Sequence, residues 1–107
     1  MKRLNGLTTD AIQQHIVPWD GDNIVVRLRF VQTVASWFVD VEYQGRKYGS
    51  DLMVLGSFCF DGTALPFRIL CIDKLRQGID PFSIEDLANR VEVLFFTSSE
   101  ADSYRGY

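Results

Sequence analysis

Two neighbouring segments alternate apolar and polar residues with a period of two, and this pattern constrains the fold more than any other feature of the sequence. In residues 24–31, Val26, Leu28 and Phe30 fall on one face, and Val25, Arg27 and Arg29 fall on the other. In residues 37–43, Trp37, Val39, Val41 and Tyr43 alternate with Phe38, Asp40 and Glu42. Successive side chains of a strand point to opposite sides, so both segments read as half-buried β-strands. Paired as an antiparallel hairpin, they bring Arg27 and Arg29 near Asp40 and Glu42 on the polar face. Opposite charges across a strand pair contribute up to about 1 kcal/mol, which supports this register. Trp37, Val39 and Val41 should then form core with Val26, Leu28 and Phe30.

Further strand-like segments recur along the chain, separated by turn signals. Residues 14–19 read as a first strand, at an edge or ending at Pro18, because proline has no donor for a ladder. Asp20-Gly21-Asp22-Asn23 is a dense turn signal. Gln44-Gly45 is a hairpin turn that Gly45 should hold, and residues 47–54 return as the next strand until Gly56 breaks the run. Residues 57–60 are a short apolar piece and Asp61-Gly62-Thr63 another turn. After Pro66, residues 67–72 are continuously apolar apart from Arg68, which implies burial on both faces. Residues 74–81 read as a loop, which with the polar tail is expected to make the contacts with partners. Ser83 resembles a helix N-cap, with Glu85 and Asp86 suited to the first turn of a short helix near residues 84–89. Residues 91–97 are the last strong strand.

The fold class that follows is mainly β: a small antiparallel β-sandwich or partly open barrel of about six strands with one short helix. At 107 residues the chain is one domain. Its ends, residues 1–12 and 98–107, read as flexible or ordered by a partner.

Composition narrows the function. The net charge of −3 gives no electrostatic reason to bind nucleic acid or an anionic membrane surface. No window approaches the roughly 20 apolar residues of a membrane span, and no apolar stretch behind Lys2 and Arg3 resembles a signal peptide. The expectation is a protein made in the cytoplasm that stays soluble or joins a soluble assembly.

The inventory for catalysis is thin. His15 is the only histidine and reads as a structural or surface residue. Cys59 and Cys71 form no metal-spaced cluster, and neither makes a nucleophile motif with His15. They read as small buried hydrophobes, with a disulfide between them left open. Asp20, Asp22 and Asn23 faintly resemble a calcium loop but lack its later ligands, so a polar turn is the simpler reading. Asp40 and Glu42 share a face as a glycosidase pair would, but Arg27 and Arg29 account for them. No catalytic, cofactor-binding or metal-ligating residue is assigned, no cofactor is expected, and the chain reads as a non-enzyme. Most aromatics, including Trp37, Tyr43, Tyr48, Phe58, Phe60, Phe67, Phe95 and Phe96, sit in strands and should fill the core. Phe38, Leu94 and Phe96, on second faces, are candidates to meet partner subunits.

The order of these segments resembles the small baseplate plug-like proteins of tailed bacteriophages. The resemblance covers roughly residues 14–97. It runs through Arg27-Leu28-Arg29, Trp37 and its strand, Gly49, the stretch Asp51-Leu52-Met53-Val54-Leu55-Gly56, the turn Asp80-Pro81 to Asp86-Leu87, and Arg90-Val91-Glu92-Val93-Leu94-Phe95-Phe96. The chain departs from the pattern at Gln44-Gly45, where that family tends to have Asp-Gly, and in a more apolar stretch at residues 57–67. The resemblance implies a structural hub or plug subunit of the virion. It would join tail tube, hub, spike and tape-measure proteins at the distal end of the tail as a homo-oligomer. The alternative expectation is a monomeric β-sandwich binding module for carbohydrate or peptide, with Trp19 or Trp37 lining its groove. A small hydrolase would rest on His15 alone.

Overall fold

A computed structural model describes residues 2–60, 63–75 and 78–105. Among these described residues, eight strands form two antiparallel four-stranded sheets, with strand orders β1-β8-β7-β6 and β2-β3-β4-β5. The strands are β1 (Lys2–Arg3), β2 (Ile12–Trp19), β3 (Asp22–Val31), β4 (Ser36–Tyr43), β5 (Arg46–Leu52), β6 (Phe58–Cys59), β7 (Phe67–Asp73) and β8 (Val91–Thr97). Two helices, α1 (Asp86–Asn89) and α2 (Ser98–Arg105), flank β8. The sheets do not close into a barrel, so the sandwich alternative holds. Where the chain crosses between sheets after β5, an isolated parallel bridge joins Leu55 to Cys71. Of the Asp61-Gly62-Thr63 turn, Asp61 and Gly62 lie outside the described residues.

The hairpin of β3 and β4 has the expected register. Val26 faces Val41, Arg27 faces Asp40 and Leu28 faces Val39. Their inner faces bury Ile24, Val26, Leu28, Trp37, Val39 and Val41, with Phe30 partly buried against them. The β4–β5 turn places Gln44 and Gly45 at φ of 53° and 78°. Positive φ at both central residues is the backbone twist that a two-residue hairpin needs, and glycine adopts it without strain.

Opposite this face, Phe67, Ile69 and Cys71 of β7 and Val91, Val93 and Phe95 of β8 complete the core. Phe67 is its centre, with ring centroids 5.7 Å from Trp19, 5.5 Å from Tyr43 and 6.1 Å from Phe95. Offset and edge-on rings at these distances add to the burial term.

The continuous apolar runs of β7 and β8 are explained by a second, smaller core on the outside of their sheet. Leu70, Leu94, Phe96 and Ala101 are buried together there, under α2. Tyr104 of α2 packs its ring 5.5 Å from Phe96 and 5.7 Å from Phe58. Leu94 and Phe96 therefore meet the chain's own last helix, where a partner subunit had been expected. Composition suggested a mobile polar tail at residues 98–107, but residues 98–105 are helical. The physical reason is a capping box. Thr97 Oγ1 accepts from the Glu100 N–H at 3.0 Å, and Glu100 Oε1 accepts from the Thr97 N–H at 2.9 Å. At the other end, β1 pairs Lys2 with Phe95 and Arg3 with Leu94, and Leu4 is buried.

The short helix near residues 84–89 is present as α1, with Glu85 at its N-cap position and no side-chain cap hydrogen bond. Ser83 does not cap it. Asp86, inside the first turn, instead reaches back to accept from the N–H groups of Phe82 and Ser83.

Candidate functional site

The most buried charge among the described residues organises the segment between β7 and β8. Arg90 lies just before β8 and is only 3% exposed. Its guanidinium donates to Asp86 Oδ1 and Oδ2 (both 3.2 Å), Asp73 Oδ2 (3.0 Å), the Ile79 carbonyl (2.7 Å) and the Asp80 carbonyl (3.1 Å). A planar cation with five donors in a fixed fork suits this mixed carboxylate and carbonyl cradle, and a lysine could not fill it. The two carboxylates then hold the loop from their own side. Asp73 accepts from Leu75 N–H and Gly78 N–H, and Asp86 from Phe82 N–H and Ser83 N–H. Burial acts to raise the Asp86 carboxyl. The hydrogen bonds from Arg90, Phe82 and Ser83, with the Arg90 charge, outweigh it and leave the group below its ordinary range.

Two further ties reach other parts of the sandwich. Asp80 Oδ1 accepts from Leu55 N–H at 2.9 Å, and Trp37 Nε1 donates to the Ser83 carbonyl at 2.9 Å. Residues 74–75 and 78–82, the described parts of this loop, are thus tied to α1 and to Arg90 ahead of β8, and the following Ser83 to the core tryptophan. Arg76 and Gln77 lie outside the described residues. From this fixed frame Leu75, Ile79 and Phe82 project outward, at 57%, 52% and 52% exposure. Phe82 also lies under the Arg90 guanidinium, 5.9 Å from its ring centre. Large apolar side chains held exposed beside such a cradle are costly in water and suit a docking surface.

A second feature lies on the outer face of the sheet formed by β2 to β5. A groove of about 380 Å³ is lined by Gln14, Arg27, Asp40, Glu42, Lys47 and Tyr48 among others. Its charges answer one another across the strands, Arg27 facing Asp40 and Glu42 facing Lys47. Asp40 is held by Arg29 Nε at 3.1 Å and by the Ser50 hydroxyl, which itself accepts from Arg29. A Cβ at Gly49 would run into the Asp40 carboxylate, so glycine is required there for close approach. Of the two carboxylates read as a glycosidase-like pair, Asp40 is bound by Arg29 as expected, whereas Glu42 faces Val25 on β3 and Lys47 on β5 rather than either arginine.

The remaining candidates have structural settings. His15 Nε2 lies 2.8 Å from Gln13 Oε1, and partial burial lowers its pKa. Buried Gln13 accepts from Thr8 N–H and donates to the Thr8 and Asp10 carbonyls, which clamps the segment before β2. Cys59 and Cys71 are buried free thiols, each pushed up to about 12, mainly by burial. At neutral pH neither supplies a thiolate. Asp20 and Gly21 form the tight turn between β2 and β3, and the Asp22 carboxylate accepts the N–H of Asn23. Among the described residues, no three His, Cys, Asp or Glu side chains converge as metal ligands. Trp19 and Trp37 are both buried, so neither lines an open groove. No described helix is long and apolar enough to cross a membrane.

Sequence reasoning named the loop at residues 74–81 but missed Arg90 as its anchor. The available signal was the four-residue spacing of Asp86 and Arg90, which puts both on one helical face. No protein-family model matches this chain, and no curated protein is significantly similar to it.

Proposed function

We propose that the chain is a non-enzymatic structural subunit that docks onto other proteins through Leu75, Ile79 and Phe82. Its place on this reading is the tail of a tailed bacteriophage, in the baseplate hub or plug, joining tube, hub, spike and tape-measure proteins within the virion. The observation that carries the docking role is the set Leu75, Ile79 and Phe82, solvent-facing around the hydrogen-bonded Arg90 cradle. Pre-ordering a loop removes much of the entropy cost of docking it. The assignment to a phage tail rests on the resemblance in strand order and turn residues.

The test is co-purification of the tagged chain expressed together with the genes that flank its own. The reading expects tail tube and hub proteins to be recovered with the native chain. They should be lost with the double variant Ile79→Asp, Phe82→Asp, whose exposed sites leave the core intact. Recovery of no tail protein, or equal recovery by the variant, refutes it.

The outer groove favours a second reading, a monomeric module for carbohydrate or peptide. Tyr48 beside paired Arg27, Asp40, Glu42 and Lys47 offers a ring and polar groups to such a ligand. Chemical-shift changes confined to this face on adding oligosaccharide or peptide would support it.

A further inference from the structure

β2 is an edge strand, bonded to β3 on one side only. Its pairs sum to a constant register, Ile12 with Arg29 through Trp19 with Asp22, and Ala11 accepts from Phe30 N–H at 2.7 Å. Antiparallel ladders alternate, so the odd-numbered residues of β2 exchange hydrogen bonds with β3. The backbone groups of Ile12, Gln14 and Ile16 therefore point away from the sheet. Pro18 has no N–H to offer there, and its carbonyl already accepts from Lys2 Nζ at 2.6 Å.

Exposed edges are normally protected by charged side chains, bulges or a covering segment. β2 reads Ile-Gln-Gln-His-Ile-Val-Pro-Trp, with no acidic residue, Lys or Arg. Two of its outer-face side chains, Ile12 and Ile16, are the most exposed large hydrophobics among the described residues, at 66% and 61%. Beside the edge lies a groove of about 400 Å³, with Lys2, Leu4 and Asn5 on one side and Ile16 and Pro18 on the other.

We infer that the occupant of this edge is β2 of a second copy, paired antiparallel about a two-fold axis through Gln14. In that register Ile12 meets Ile16 of the other copy, Gln14 meets Gln14, and Ile16 meets Ile12. All three outward-facing residues are satisfied, each pair exchanging both of its backbone bonds. Shifting the register by two residues toward the C-terminus would set Ile12 against Pro18 and lose a donor on each side. The apolar pairs fall on one face, and the pairing ends where proline ends the row of donors. Charge agrees with this placement. Asp10 of the second copy comes opposite Pro18, where the Lys2 ammonium sits. Symmetry repeats the contact at the other end. The product is a continuous eight-stranded sheet across two sandwiches, closed at two copies because the interface is the same patch on both. This inference is independent of the docking loop, which lies elsewhere on the sandwich.

Sedimentation equilibrium on the full chain tests it. The expectation is a reversible dimer with no larger species, and dissociation favoured by salt because the Asp10–Lys2 contacts are exposed. Gln14→Pro removes the central donor on both strands while leaving the β2–β3 ladder intact, because that N–H faces outward. It should raise the dimer dissociation constant about tenfold or more with an unchanged circular dichroism spectrum. Gln14→Lys, at an exposed position, sets two ammonium groups against each other on the axis and should do the same if the proline variant fails to fold. A chain that remains monomeric up to about 0.5 mM overturns the inference. So does a trimer, or a dimer unaffected by whichever variant folds.

Discussion

Replacing Arg90 by alanine tests the account of the loop most directly. The Arg90 side chain is 4% exposed, and its partners Asp73 and Asp86 are 5% and 14% exposed. Alanine would take the guanidinium from two carboxylates that see little water, and its N–H donors from the carbonyls of Ile79 and Asp80. Breaking a buried ion pair from one side costs about 3–5 kcal/mol, chiefly because the remaining charge stays desolvated. Domains of this size have about 5–15 kcal/mol in total, so roughly 4 kcal/mol is a large fraction. Urea unfolding followed by far-UV circular dichroism and tryptophan fluorescence reads the loss directly. Trp37 is a useful reporter because its indole N–H donates to Ser83 in the same cradle. Arg90→Lys should recover only part of the loss, since one ammonium cannot reach both carboxylates and both carbonyls. The triple variant Arg90→Met, Asp73→Asn, Asp86→Asn should be more stable than Arg90→Ala, because no charge then remains buried. A loss under about 1 kcal/mol for Arg90→Ala at unchanged m-value would refute the cradle as an energetic anchor.

Three further outcomes follow from the same geometry. Asp86 is held below its ordinary value near 3.8, so its contribution is complete above that value and is lost as pH falls through the lower folded-state value. The acid limb of stability should therefore flatten in Asp86→Asn, and an unchanged limb would contradict the assignment. Trp37→Ala should destabilise by about 3–5 kcal/mol, since the side chain is wholly buried; a measured loss under 1 kcal/mol would remove Trp37 from the core. Cys59 and Cys71 should resist a thiol reagent such as Ellman's in the native protein at neutral pH and react on unfolding, because burial holds both protonated. Rapid labelling of the native fold would count against their burial.

The strands were legible in the sequence because their signal is local. Alternation in β3 and β4 marks which side chains share a face, and a one-residue slip would turn every apolar group outward. Asp40 could be matched with Arg27 and Arg29 for the same reason, facing the first and binding the second, but Glu42 faces Lys47 instead, a neighbour set by the β4–β5 register. The Gln44-Gly45 turn is a property of its own two residues. α2 carried a readable mark as well, Thr97 followed three residues later by Glu100, but its polar composition masked it. The loop was legible as a loop but not as a fixed platform. The ties on its described residues come from Arg90, 17 residues beyond Asp73, and the neighbouring Ser83 is held by Trp37, 46 residues before it.

What the sequence by itself determined is the β architecture: which segments extend, where they turn and which faces are apolar. Periodicity and turn conformation act between near neighbours, so they can be read along the chain. What only the tertiary structure decided is which body covers each apolar face. Leu94 and Phe96 looked like surfaces for a partner and are buried by the chain's own helix, while Leu75 and Ile79, in the loop expected to make contacts, and Phe82 just after it face solvent. Apolar side chains gain from leaving water whatever covers them. The identity of the cover depends on how distant segments come together, and local pattern carries no record of that.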